Sequence, residues 1–107
     1  MKSENDKCDI VLIVNVISSL LVGYGWVFEC DVVDVTRGVF LDNQVSIVIL
    51  PNENKLNTIF VTEKQKLVEV GFTKKNSNEP YQIMPLNGFV DSERTSWEIK
   101  YAKSVIQ

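Results

Sequence analysis

The stretch WVFECDVVDVTRG, residues 26–38, places the strongest constraint on the fold, because its alternation of apolar residues changes parity midway. Apolar side chains occupy even positions through Val32 and odd positions from Val33. Side chains of a strand alternate between its two faces, so this change requires one extra residue, a β-bulge. We therefore predict a long strand over residues 24–36 with a bulge at Val32 and Val33, after which Val33 and Val35 point inward. Strands bent in this way are typical of small closed barrels.

The remaining strand signals lie on both sides of this stretch. Alternation of apolar and polar residues predicts four further strands, over residues 9–17, 44–50, 66–74 and 81–90. SSLLVGYG supplies the turn region between the first two strands, and Arg37-Gly38 supplies the next turn. Pro51 ends the third strand, because proline has no N–H to donate to a ladder.

Two helices are predicted beside these strands. The segment that starts at Asn52 predicts a short helix with Leu56, Ile59 and Phe60 on one face, and a short strand TIFVT is the alternative. Residues 92–105 have apolar side chains at both strand and helix spacing, and the cap-like residues at their start favour a helix. The order of elements matches a mostly β fold, a five-stranded OB-like Greek-key barrel with a helix between strands three and four and a C-terminal helix.

Length and charge limit the function classes. A chain of 107 residues is the size of one domain, so we expect a single OB-like domain over 1–107, with 1–8 as a disordered or extended segment. The net charge of −3 provides no positive field for a phosphate backbone, so nucleic acid is not expected as a partner. Histidine is absent, and no catalytic or phosphate-binding motif occurs. We therefore predict no enzyme activity, no catalytic residues, no metal site and no cofactor.

An uncharged run from Ile10 to Phe28 has about the length that a membrane helix needs. Asp9 and Glu29 close its two ends, and β-branched residues and two glycines interrupt any helical character. We therefore predict two strands and a turn here, with no membrane span, and a membrane helix is the alternative.

Four stretches of the sequence carry a resemblance to a known family: DIVLIVNVI, WVFECDVVDVTRG with its Arg-Gly turn, KLVEVGF, and NGFV followed by a segment with a tryptophan. Together they resemble the netrin-like family, which includes tissue inhibitors of metalloproteinases. This resemblance implies an OB-like barrel and a location outside the cytoplasm, with any export signal lying outside this sequence; otherwise the protein is expected in the cytoplasm. In that family's inhibitors an amino-terminal cysteine reaches the protease zinc. Cys8 lies inside the chain, so the resemblance implies the fold without the inhibitory chemistry.

The two cysteines and several aromatic residues are the candidate site residues. In an antiparallel hairpin that turns near residue 20, Cys8 and Cys30 share a face, so a cross-strand disulfide is one interpretation and two buried thiols are the other. Tyr24 and Phe40, the latter next to Leu41, are the candidates for contact with a partner, whereas Trp26 is expected in the core.

These observations lead to one main hypothesis, a non-enzymatic interaction module that binds a protein partner. Two alternatives remain: an OB domain that binds oligonucleotides, as the order of elements implies, and a small acidic protein that neutralises a basic toxin. The sequence identifies neither the partner nor the oligomeric state.

Overall fold

The computed structural model describes residues 7–23, 25–60, 67–75 and 87–105. These ranges form a mostly β fold in which antiparallel strands close into a barrel, in the order β1-β2-β3-β5-β6-β4, with β4 pairing back onto β1. The six strands and one helix are β1 (Ile10–Val22), β2 (Gly25–Arg37), β3 (Gln44–Ile49), α1 (Asn54–Phe60), β4 (Leu67–Lys74), β5 (Gly88–Val90) and β6 (Ser96–Ser104).

The predicted bulge in β2 is confirmed. Val14 pairs with Val32 and Ile13 pairs with Asp34, so Val33 has no opposite residue on β1. The expectation that Val33 points inward was wrong, because its side chain is 54% exposed. The bulge places two successive residues on the solvent side, and the inward alternation resumes only at Val35, which packs against the core.

The barrel interior is a single apolar cluster to which every strand contributes. Its centre holds fully buried Phe28 and Phe72, and Phe60 of α1 stacks on Phe28 with ring centroids 5.3 Å apart. Leu56 and Ile59 of the same helix also pack against this cluster. The predicted short helix between the third and fourth strands, with its apolar face, is therefore confirmed.

The C-terminal helix predicted over 92–105 was wrong, because the chain there forms β6 between β5 and β4. Asp91, which resembles a helix cap in the sequence, accepts hydrogen bonds from the backbone of Glu93 and Thr95 and so closes a tight turn between two strands. An aspartate side chain makes the same kind of bond in helix caps and in such turns. The barrel consequently has six strands where five were predicted.

Other predicted segments are placed as follows. The run from Ile10 to Phe28 forms most of the β1–β2 hairpin, as predicted. In the described ranges, the structure contains no helix with the length and apolar character needed to cross a membrane. Of the fifth predicted strand, Gly88–Val90 is a strand and 81–86 lie outside the described residues, as do residues 1–6 of the predicted N-terminal segment.

Candidate partner-binding groove

The loop between β2 and β3 displays apolar side chains on both of its sides. Gly38 begins this loop with a φ of +78°, a left-handed conformation that glycine adopts without strain. Phe40 then turns toward the barrel and packs edge-on against Phe89, with ring centroids 5.7 Å apart. Its neighbours Val39 and Leu41 point to solvent and are 77% and 88% exposed. Three consecutive apolar residues therefore combine one anchored ring with two exposed side chains.

The turn between β5 and β6 lies opposite this loop and is fixed by Asp91. One carboxylate oxygen, Oδ1, accepts the backbone N–H groups of Glu93 and Thr95 at 3.0 and 2.8 Å. The other, Oδ2, accepts the indole N–H of Trp97 at 3.0 Å. Arg94 adopts a positive φ of 66° within the turn. The carboxylate therefore fixes both the turn and the orientation of the tryptophan ring.

Between loop and turn lies an open groove of about 370 Å³, which we call the Phe40 groove. Apolar surface comes from Phe40, Trp97 and the two exposed residues beside Phe40. The acidic residues Asp42 and Glu93 also line it, together with the basic residue Lys74. A concave apolar surface beside carboxylates suits an apolar side chain that is flanked by a basic residue.

A second cavity, of about 210 Å³, lies next to the groove, between β3 and β5, and shares Phe40 with it. Gln44, Val45 and Ser46 line it from β3, and Phe89 and Val90 line it from β5. We call this cavity the β3–β5 seam. Because Phe40 lines both cavities, a ligand in either one contacts the same ring.

The outer face of β2 and β3 is acidic. Glu29 accepts a hydrogen bond from the Ser46 hydroxyl at 2.7 Å, and Asp31 accepts one from the Gln44 amide at 3.1 Å. Arg37 is the only basic residue in the sequence between Asp9 and Glu53, and its Nε–H donates to the Cys8 carbonyl. This face therefore offers a negative field to a partner.

The two cysteines lie in different clusters. Cys30 is opposite Val16 on β1 and belongs to the barrel core, whereas Cys8 packs with Val11 and Tyr101 in a separate cluster. Among the described residues, no disulfide joins them. The disulfide interpretation assumed a turn near residue 20, but β1 continues to Val22, and the structure has the other alternative, two buried thiols. This longer strand moves the register of the hairpin and separates the two sulfurs.

Burial determines the chemistry of Cys30. Desolvation raises the pKa of its thiol to about 12, and the charges of Glu29 and Asp31 add to the increase. A thiol is nucleophilic only as the thiolate, so this side chain remains an inert part of the core at neutral pH. In the described ranges, no group of three or more Cys, Asp or Glu side chains is arranged to hold a metal ion.

Of the predicted contact residues, Phe40 lies at the groove and Tyr24 lies outside the described residues. Trp26 is half-buried, packs against the core and stacks on Phe28, as expected. The sequence analysis did not identify Asp91 and Trp97 as site residues. Their spacing of six residues does not indicate a contact unless the turn between them is recognised.

Comparison with known proteins found no match: no family model, no curated protein and no solved structure matches this chain. The resemblance to netrin-like domains therefore stays a prediction from the sequence.

Proposed function

We propose that this chain is a non-enzymatic module that binds a protein partner through the Phe40 groove. One observation carries the proposal: Val39 and Leu41 are exposed side by side, next to an anchored aromatic ring in a concave surface lined by carboxylates. Contiguous exposed apolar surface of this kind is costly in water and is typical of interaction sites. Interfaces concentrate their binding energy in a few such anchors, surrounded by a polar rim.

We further propose that the barrel is OB-like, with β5 as an addition. Three facts support this: β1, β2 and β3 follow one another as neighbours, α1 connects β3 to β4, and β4 pairs with β1. β6 then occupies the place of the fifth strand, with the short β5 between it and β3. OB domains bind oligonucleotides on the face of strands two and three, and here that face carries Glu29 and Asp31.

Charge therefore favours a basic protein over nucleic acid. Phosphate backbones require lysine and arginine, and the β2–β3 face offers carboxylates instead. A basic toxin is one partner of the required charge, which supports the second candidate function, neutralisation of such a toxin. In either case the apolar anchors provide most of the binding affinity. The carboxylates raise the rate of association with a basic partner and favour that partner over others.

The test compares capture by three forms of the protein from an extract of the source cells. Val39→Ser with Leu41→Ser removes the apolar anchors, and Leu20→Ser with Leu21→Ser removes another exposed apolar pair, on the β1–β2 hairpin. Quantitative mass spectrometry identifies captured proteins, and each is purified and titrated.

We expect one protein to bind the wild type and the hairpin variant alike, and to bind the groove variant at least about tenfold more weakly, a loss of about 1.4 kcal/mol. Capture that is unchanged in the groove variant contradicts the proposal. Recovery of nucleic acid or a small metabolite alone also contradicts it.

A further inference from the structure

The ladder between β3 and β5 contains only one pair in the described ranges, Val48 with Gly88. Both strands continue beyond this pair, β3 toward Gln44 and β5 to Val90. If the antiparallel ladder continued, Ser46 would face Val90. The described ladder contains no such pair, and residues of both strands line the β3–β5 seam at this place.

Hydrogen bonds on the β2 side show which β3 residues direct their backbone into the seam. The N–H of Val32 donates to the carbonyl of Asn43 at 2.8 Å. Residues of an antiparallel strand alternate in the side to which their N–H and C=O groups point. Val45 and Ile47 therefore bond to β2, whereas Ser46, like Gln44, directs its N–H and C=O groups toward β5.

The same reasoning applies to β5. Asp91 N–H donates to the carbonyl of Thr95, and Ile99 N–H donates to the carbonyl of Asn87. Phe89, at the position between Asn87 and Asp91, therefore bonds to β6, and Val90 directs its backbone groups toward β3. The seam is thus bordered on both sides by backbone groups that have no strand partner in the described part of the chain. Such groups are obligatory hydrogen-bonding sites.

We propose that the β3–β5 seam binds an extended segment of the partner protein, which adds to Gln44–Ser46 as a short strand. This inference rests on the proposed function and specifies the partner class: a segment in which apolar residues alternate with lysine or arginine. Three residues of strand span about 10 Å, which matches the free edge of β3. An added strand forms main-chain bonds to the edge, and alternate side chains enter pockets.

Charge and shape both select this occupant. Among the described residues that line the seam, Asp42 and Asp91 are acidic and none is lysine or arginine. Glu29 and Asp31 lie on the strand next to β3, within reach of a long basic side chain. On the inner side, Phe40 and the buried ring of Phe89 provide an apolar surface. Outward basic and inward apolar residues therefore match the two sides of the seam.

Amide hydrogen exchange by NMR tests the open edge without a partner. We expect the amides of Ser46 and Val90 to exchange at least about 100-fold faster than that of Ile47, which bonds to β2. Protection of Ser46 and Val90 equal to that of Ile47 in the unliganded protein would overturn the proposal, because the edge would already be occupied.

A displayed library of random linear octapeptides supplies the ligand. We expect enriched peptides to alternate apolar and basic residues, and their synthetic forms to slow exchange of the Ser46 and Val90 amides at least about tenfold. No enrichment, or enrichment of peptides without basic residues, overturns the proposal. Self-association that Ser46→Pro abolishes also overturns it, because a second copy would then be the occupant.

Two matched variants separate strand addition from other contacts. Ser46→Pro removes the N–H that faces the seam and leaves the bonds of Val45 and Ile47 to β2, whereas Ser46→Ala keeps the N–H and removes only the hydroxyl. We expect the proline variant to lose peptide binding at least about tenfold and the alanine variant to keep it. If Ser46→Pro does not fold, Gln44→Pro at the first residue of β3 replaces it, with Gln44→Ala as its control.

The outcomes also separate this inference from the proposed function. If the captured protein binds the proline variant as tightly as the wild type but loses affinity for the Val39 and Leu41 variant, the groove binds and the seam does not. If peptides bind the seam while no protein depends on Val39 and Leu41, the proposed function fails and strand addition stands.

Discussion

Asp91 holds the β5–β6 turn, so its replacement tests the C-terminal architecture and one side of the Phe40 groove together. Its carboxylate accepts three hydrogen bonds, from the N–H groups of Glu93 and Thr95 and from the indole of Trp97. A hydrogen bond to a charged group contributes about 1.5–3 kcal/mol net. The Glu93 bond is exposed, and water can replace it, so we count the two partly buried bonds.

We therefore expect Asp91→Ala to lower the free energy of unfolding by about 3 kcal/mol, a large part of the roughly 5–15 kcal/mol of a typical domain. Asp91→Asn keeps an acceptor for the backbone but turns an NH₂ group toward the Trp97 indole. It should cost about 1–1.5 kcal/mol. Glu93→Ala, at an exposed position of the same turn, should change stability by less than about 0.5 kcal/mol.

Urea unfolding followed by tryptophan fluorescence measures these differences, because Trp97 lies in the affected turn. With a slope of about 1.5 kcal/mol per molar urea, the alanine variant should unfold at a midpoint roughly 2 M lower. A midpoint equal to that of Glu93→Ala would refute the reasoning, since Asp91 would then not support the turn.

Four further predictions test the core and the register. Because Cys8 and Cys30 are buried and the pKa of Cys30 is raised to about 12, a thiol reagent at pH 8 should react only on unfolding, with two thiols per chain; fewer would indicate a disulfide. Because the folded chain holds the Cys30 proton more tightly than the unfolded chain, the free energy of unfolding keeps this contribution below about pH 9 and loses it as pH rises toward 12. Cys30→Ala should reduce that loss. Gly71→Ala places a methyl group 2.6 Å from the Cys8 sulfur and against a ring of β6, so thermal unfolding should show a loss of about 1–3 kcal/mol, and an unchanged melting temperature would contradict the packing. Val33→Thr should be neutral within about 0.5 kcal/mol, whereas Val14→Thr in the core should cost at least about 1 kcal/mol in urea; equal effects would contradict the bulge.

The bulge in β2 was predictable because a change of parity is a local property of the sequence. The orientation of Val33 was not, because a change of parity between Val32 and Val33 does not show which residue is the extra one. The structure makes Val33 the unpaired residue, and its side chain consequently faces solvent.

The C-terminal strand was missed for a related reason. Gly71 pairs with Tyr101 and Phe72 pairs with Ile99, so Lys100 is a bulged residue in β6. The bulge moves Tyr101 from the inner face, where Ile99 lies, to the outer face. The sequence does not show this bulge, because Trp97, Ile99 and Tyr101 alternate as in a regular strand, while Trp97, Tyr101 and Val105 also fit helical spacing. The cap-like Asp91 then favoured a helix, which was the wrong interpretation.

The candidate site was predictable only in part. Phe40 was identified because it lies with Leu41 in a loop that follows a strand, where an aromatic side chain can be exposed to a partner. Trp97 and Asp91 reach it only because β6 is a strand, so the error in the last element hid half of the groove. The sequence left a disulfide and two buried thiols open for Cys8 and Cys30, because SSLLVGYG contains several turn residues and does not define where the hairpin turns.

The central claim, that a protein partner binds at the Phe40 groove and the seam beside it, is tested most directly by NMR titration of the isotope-labelled chain with the captured partner. The account predicts that backbone shifts concentrate in two segments distant in sequence, residues 38–46 and 88–97. Shifts concentrated instead on the β1–β2 hairpin around Leu20, or spread over β4 and β6 with none at Phe40, would contradict it.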